Sequence, residues 1–269
     1  MIIVILLILL FLLWNCHRNI NFDANATTMP NLSTIMHINS SYWLGNPSAF
    51  YSRAGEKVRE LQNLVLGILG KKNHKCIITS SASESNNLLM RGYSGNGRRA
   101  CSKWEHKTTL GCVDVVTENL NELRSGDIYS HMYCNNETGN IFDVKKIAAD
   151  CHRRGIIFHT DAAQFFGKSE NPIDDFEGID FITISLHKIY GPIGVGLLII
   201  PSDYYLKPQI IGVQNDGLRG GTENVPAIVG SIYAIKNTLD NRHQKNQKLK
   251  YLCDQFKKIL YVPIQMTKL

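Results

Sequence analysis

In the stretch Thr183 to Ile200, TISLHKIYGPIGVGLLII, a lysine separates two runs that read as buried strands. Lys188 follows His187, with the hydroxyl of Ser185 two residues before the histidine and a Tyr-Gly-Pro turn just after. A surface lysine needs no explanation, but one at the end of an apolar strand does. Such a lysine can form a Schiff base with an aldehyde, provided its ammonium is destabilised enough to supply free amine. Burial and a neighbouring cation both have that effect.

Two further junctions carry polar residues just past apolar runs. After Cys76 to Thr79 comes SSASESNN, where Ser81 and Glu84 have capping-box spacing, so Ala82 and Ser83 open a helix whose free N–H groups suit a phosphate. After Ile156, Ile157 and Phe158 comes HTDAAQ, which puts Asp161 and Gln164 at a strand mouth. Pyridoxal 5′-phosphate needs a Schiff-base lysine, a carboxylate for the pyridine nitrogen, donors for the phosphate and a flat group on the ring. Lys188, Asp161, the set Ser83, Ser185 and His187, and His106 supply these in turn. Any one of them alone reads as structural. The glycines of GPIGVG lack dinucleotide-loop spacing and read as a turn into the next strand.

These residues need a sheet to position them. The pattern predicts helices over Ala54 to Leu69 and Val144 to Arg154, and strands over Lys75 to Thr79, Ile156 to His159, Phe181 to Ile184 and Gly194 to Ile200. From Asn237 to Leu260, Leu249, Leu252, Phe256, Ile259 and Leu260 recur at helical spacing, so an amphipathic helix is expected, with Cys253 on its buried face. Alternating short apolar runs and amphipathic stretches indicate an α/β protein with a mainly parallel sheet flanked by helices. Ligands in such sheets lie past the carboxyl ends of strands, where all three junctions fall.

The 269 residues, 44% of them hydrophobic, can bury a sizeable core. A net charge of +6, with lysines crowded near the C-terminal end, does not have the form of a nucleic-acid groove. The seven cysteines are scattered without a C-x-x-C pair, so neither a metal site nor a disulfide framework is expected. The first fourteen residues, MIIVILLILLFLLW, carry no charge and are short of a comfortable bilayer span. They stand as a candidate membrane anchor or a buried segment; Arg18 after the run would leave the remainder cytoplasmic, on the cytosolic side of any membrane. Sequons at Asn25, Asn31 and Asn39 read as accidental.

Taken in order, FDANATT (22–28), GNPS (45–48), TSSASESNN (79–87), EHK (105–107), NNETG (135–139), HTDAAQFFGK (159–168), SLHKIYGPIGVG (185–196) and RGGTENVPAIVG (219–230) resemble the NifS/IscS cysteine desulfurases. These are class V aminotransferase relatives of pyridoxal-phosphate fold type I, and the resemblance covers about residues 20 to 235. Beyond the hydrophobic segment at 1–18, it implies a cofactor-binding large domain at 19–236 and a helix at 237–269 leading into a C-terminal small domain that is mostly absent. It also implies conversion of L-cysteine to L-alanine, with sulfur passed to an acceptor protein. The other readings are a cofactor-binding scaffold, and a lyase or transaminase of the same group acting on a related amino acid.

Carried over residue by residue, the resemblance makes Lys188 the Schiff-base lysine and Asp161 the partner of the pyridine nitrogen. Gln164 would bond the ring hydroxyl, His106 would stack on the ring, and Asn136 would lie beside the ring hydroxyl and the substrate carboxylate. Ala82, Ser83, Ser185 and His187 would hold the phosphate, and Thr222 would reach the cofactor of the partner subunit in a homodimer. In the family the sulfur-accepting cysteine and a carboxylate-binding arginine lie further on than Leu269, so little desulfurase turnover is expected of this chain alone.

Overall fold

The computed structural model describes residues 23–260. The segment 1–14 and its anchor expectation lie outside them, and among the described residues no helix is long and apolar enough to cross a membrane. Seven helices are α1 (Leu32–Ser40), α2 (Ala54–Ile68), α3 (Ala82–Gly92), α4 (Lys107–Leu110), α5 (Val144–Arg153), α6 (Pro172–Asp175) and α7 (Val225–Leu260). The strands are β1 (His74–Thr79), β2 (Arg99–Cys101), β3 (Val115–Val116), β4 (Ile128–Ser130), β5 (Ile157–Asp161), β6 (Phe181–Ser185) and β7 (Gly196–Pro201).

They form one sheet in the order β1-β7-β6-β5-β4-β2-β3. From β6 through β5, β4 and β2 to β3 all pairs are parallel, whereas β7 is antiparallel to both β6 and β1. The period-two alternation of side chains divides the core. Cys76, Ile78, Ile182, Ile184, Leu197 and Ile199 pack with residues of α2, α5 and α7, while Ile77, Phe181, Leu198 and Ile200 pack with Leu88, Leu89 and Met90 of α3.

All the predicted elements form, and all but the last helix have both ends within two residues of expectation. Three short strands, β2, β3 and β4, give no legible period in sequence because two or three residues cannot show one. Asn31 is used as the N-cap of α1, its side chain accepting from Thr34 N at 2.7 Å.

The last helix departs most from expectation. It begins at Val225 rather than Asn237 and runs unbroken across the expected 236/237 domain boundary. Asn224 Oδ1 accepts from Ala227 N at 3.2 Å, and Pro226 sits in the first turn where a missing N–H costs nothing. Its first half is buried through Ile228, Ile232 and Ile235. Asn246 still ties it to Lys168 O and Glu170, but beyond that Leu249, Leu252, Phe256 and Ile259 are exposed. Cys253 is exposed as well, not buried against a helix core as its apolar neighbours imply. Helical periodicity identifies a shared face, and nothing in it says whether another element covers that face.

Candidate active site

At the carboxyl ends of β5 and β6 lies a cleft of about 240 Å³. Nine of the ten residues singled out in the sequence line it: Ala82, Ser83, His106, Asn136, Asp161, Gln164, Ser185, His187 and Lys188. Thr222 is the exception; it is exposed and outside the cleft.

Lys188 ends a 3-10 turn that follows β6 directly. Its ammonium donates to the carbonyls of Asn25 at 2.9 Å and Ala26 at 2.7 Å. The rest of the FDANATT block clasps the same turn. Thr28 N and Oγ1 both donate to His187 O, Thr28 Oγ1 accepts from Tyr190 N at 2.6 Å, and His187 Nδ1 lies 3.0 Å from Thr27 Oγ1. Tyr190 takes a left-handed backbone, φ 68°, which lets the chain reverse into the Gly-Pro turn. Burial lowers the Lys188 pKa below the usual lysine range, against the opposing pull of Asp161 and Asp23. Burial also lowers that of His187, with the Lys188 charge adding to it.

Asp161 is the last residue of β5 and is 6% exposed. Asn86 Nδ2 donates to its Oδ2 at 2.8 Å and Ala163 N to its Oδ1 at 2.9 Å, which aims the carboxylate into the cleft. Burial raises its pKa, while these donors, His106 and Lys188 oppose the rise. Gln164 Nε2 donates to Asn25 O at 3.1 Å and its Oε1 accepts from Lys168 at 3.1 Å. His106 caps α4: its Nδ1 accepts from Thr108 N at 3.2 Å, which leaves Nε2 to carry the proton of the neutral ring.

The start of α3 also lines the cleft, next to the end of β6, whose Ser185 pairs with Gly196 of β7. Ser81 Oγ accepts from Glu84 N at 3.2 Å, and the Glu84 carboxylate reaches back to Ser80 N at 2.7 Å, one residue earlier than a strict capping box. The N–H groups of Ala82 and Ser83 have no intrahelical partner by geometry. Gly196 lies so close that an added Cβ would sit 2.2 Å from Ser81 C. Arg219 of the RGGTEN block pairs with Glu84 through Nε–Oε1 at 2.7 Å and Nη2–Oε2 at 3.3 Å. Burial works against the charge on Glu84, yet Arg219 and Ser80 hold its pKa below the ordinary carboxylate range.

Pyridoxal phosphate fits this donor set. Ser185 Oγ is buried in the cleft wall without a hydrogen-bond partner, a hydroxyl awaiting an acceptor or donor. The same cleft is lined by helix N–H groups, an imidazole, an amine and a held carboxylate, the groups that a phosphate and a pyridine nitrogen call for.

Several residues escape sequence reasoning. Asn86, 1% exposed, orients Asp161, and its only signal is a polar pair in TSSASESNN ahead of Leu88. Glu105, in the EHK block, is 5% exposed behind the cleft. Ser130 Oγ lies 2.6 Å from Glu105 Oε1 and 2.7 Å from His159 Nδ1, and His159 Nε2 lies 3.0 Å from Thr183 Oγ1. Burial and the facing Asp161 push Glu105 up to about 8. Burial pushes His159 down to about 3. Cys134 also lines the cleft, half-buried, with its pKa raised by burial.

The class V aminotransferase family model matches residues 113–264. A cysteine desulfurase of Nostoc sp. (strain PCC 7120) is 32% identical over 244 residues, covering 78% of this chain and 60% of its own. Among solved structures, a NifS-like protein from Rickettsia africae superposes with a TM-score of 0.81 at 29% identity, covering 88% of this chain and 73% of that one. A structure described as SspA in complex with cysteine gives 0.69 at 28% identity, covering 80% and 72%. The chain thus spans about 60% of the length of the curated desulfurase it matches. With more than half of its residues in the family model and its fold shared with a NifS-like protein, the chain belongs to the NifS-like cysteine desulfurases of the class V aminotransferase family, whose cofactor is pyridoxal 5′-phosphate.

Proposed function

We propose that this chain holds pyridoxal phosphate through Lys188 and acts on L-cysteine, leaving L-alanine and passing the sulfur to a thiol. The observation that carries this reading is the Lys188 amine, of lowered pKa, held by two carbonyls at one end of a cleft that has Asp161 at its floor. The relative in complex with cysteine supports a substrate of that class. When bound, the cofactor supplies an electron-accepting ring to the substrate Cα.

The residues divide that work. Lys188, in its amine form more often than a surface lysine, offers the nucleophilic nitrogen and afterwards a base that can take or return a proton at Cα. Asp161, fixed by Asn86 and Ala163 N–H, would pair with the pyridine nitrogen and favour its protonated form. His106 would cover the ring, Gln164 and Asn136 would hold the ring hydroxyl, and Asn136 would bind the substrate carboxylate. Ala82, Ser83, Ser185 and His187 hold the phosphate. Thr222, turned to solvent, serves the cofactor of the second subunit of a homodimer.

A second reading, a cofactor-binding protein with little turnover, is favoured by the thiols. Cys76, Cys101, Cys112 and Cys151 are buried, and burial raises the pKa of Cys134 in the cleft, so it is a weak nucleophile at neutral pH. The deciding experiment loads the protein with cofactor and follows L-cysteine with and without dithiothreitol as sulfur acceptor. Alanine release that grows with added thiol is expected. Pyruvate and ammonia would make the protein a lyase, and cofactor binding without any product would establish the second reading.

A further inference from the structure

Behind the cleft floor, four side chains from separate elements make one hydrogen-bonded line. Glu105 precedes α4, Ser130 ends β4, His159 lies within β5 and Thr183 within β6. Ser130, His159 and Thr183 are fully buried and Glu105 nearly so. Ser130 has one hydrogen for two neighbours, so either Glu105 or His159 must donate to it. Two settings satisfy the line. In one, Glu105 is a neutral acid donating to Ser130 Oγ, Ser130 donates to His159 Nδ1, and His159 Nε2–H donates to Thr183 Oγ1. In the other, Glu105 is ionised and accepts from Ser130, His159 Nδ1–H donates to Ser130, and Nε2 accepts from Thr183.

The surroundings choose between them. Asp161 faces Glu105 from the end of β5, and two adjacent buried carboxylates do not both ionise readily. Asp161 has the Asn86 amide, the Ala163 N–H and the Lys188 ammonium nearby, whereas no cation faces Glu105 among the groups that act on it most strongly. The other titratable groups turned toward it are Cys101 on β2 and Tyr129 on β4, both held neutral by burial, with Glu118 adding negative charge behind them. A charge on Glu105 would be met only by the hydrogen bonds of Ser130, the His106 N–H and Thr109, which its burial and the facing Asp161 outweigh.

We propose that Glu105 is a positioning residue held as a neutral acid, whose proton sets the Ser130–His159–Thr183 line and leaves Asp161 as the ionised carboxylate under the cofactor. Because His106 is its chain neighbour, the same anchorage fixes the start of α4 from which the imidazole reaches the cleft. The link to the cofactor rests on the reading of Asp161 given above, but the protonation state does not, so it is tested without cofactor.

The measurement is the tautomer of His159 by 15N NMR in the cofactor-free protein. At neutral pH the Nε2–H form is expected, changing to Nδ1–H as Glu105 ionises near the pH of about 8 set by its surroundings. Glu105→Gln, able to donate an amide N–H to Ser130, should hold the Nε2–H form at every pH. Asp161→Asn should move the wild-type change to lower pH by removing the facing charge. Should Glu105→Gln not fold, Ser130→Ala provides the second variant, and in it the pH response at His159 should vanish. An Nδ1–H form at neutral pH, a transition that survives Glu105→Gln or Ser130→Ala, or one unmoved by Asp161→Asn would overturn the proposal. Failure of Lys188 to take up cofactor would leave all of these results standing and strike only the link to the ring.

Discussion

Changing Ser185 to Ala should move stability and cofactor affinity in opposite directions. Ser185 closes β6 at 2% exposure, and its Oγ has no hydrogen-bond partner in the protein without cofactor. A buried hydroxyl in that state bears a desolvation cost of about 1–3 kcal/mol, so removing it should leave the cofactor-free protein equally stable or more stable by about 1 kcal/mol. Against a phosphate the same hydroxyl makes a charge-assisted hydrogen bond worth about 1.5–3 kcal/mol, and its loss should weaken binding roughly 10- to 150-fold. Urea unfolding of the cofactor-free protein and titration with pyridoxal phosphate read the two effects separately. Saturating cofactor should then stabilise the wild type more than the variant, since a ligand stabilises in proportion to its affinity. A variant destabilised by more than about 1 kcal/mol without cofactor, with unchanged affinity, would refute the reasoning, because Ser185 would then be satisfied within the protein.

Other perturbations follow from the same wall of the cleft and from the thiols. Arg219→Gln should cost about 2 kcal/mol at neutral pH, as it leaves a partly buried Glu84 without its cation. Because the folded pKa of Glu84 lies below its unfolded value, its contribution is present above the ordinary carboxylate pKa and is lost as pH falls through the folded one. Acid unfolding should therefore be steeper in wild type than in Arg219→Gln, and equal slopes would remove Glu84 from that role. Gly196→Ala should cost about 1–3 kcal/mol and cofactor affinity together, since its Cβ meets Ser81 backbone; a silent variant in both assays would show that α3 can shift freely. A thiol reagent should modify Cys253 rapidly in the native protein, while Cys76, Cys101 and Cys151, all pushed up to about 12 by burial, react only on unfolding. Slow reaction at Cys253 would mean that its helix face is covered in solution.

The residues that the sequence makes legible are those at the ends of long apolar runs. Lys188, Asp161 and Ser83 could be placed because β6, β5 and β1 are long enough to show a pattern and each is followed at once by polar residues. The FDANATT block was legible only as a motif: its use, carbonyls and hydroxyls clasping the Lys188 turn, depends on main-chain contacts between residues more than 150 positions apart. Asn86, Glu105 and Ser130 are silent for a different reason. Each satisfies another side chain on a separate element, and such a pairing leaves no local period in the sequence. For Cys253 the face of the helix was read correctly, but burial depends on what packs against it. Thr222, exposed and outside the cleft, is the one site residue of the motif blocks that this chain's own cleft does not use.

The identity of the cofactor lysine can be read by loading the protein with pyridoxal phosphate, reducing it with borohydride and mapping the modified peptide by mass spectrometry. Lys188 alone should carry the pyridoxyl phosphate group, and Lys188→Ala should carry none. Modification spread over Lys168, Lys245 and surface lysines, or no adduct at all on Lys188, would contradict the assignment of this cleft as the cofactor site.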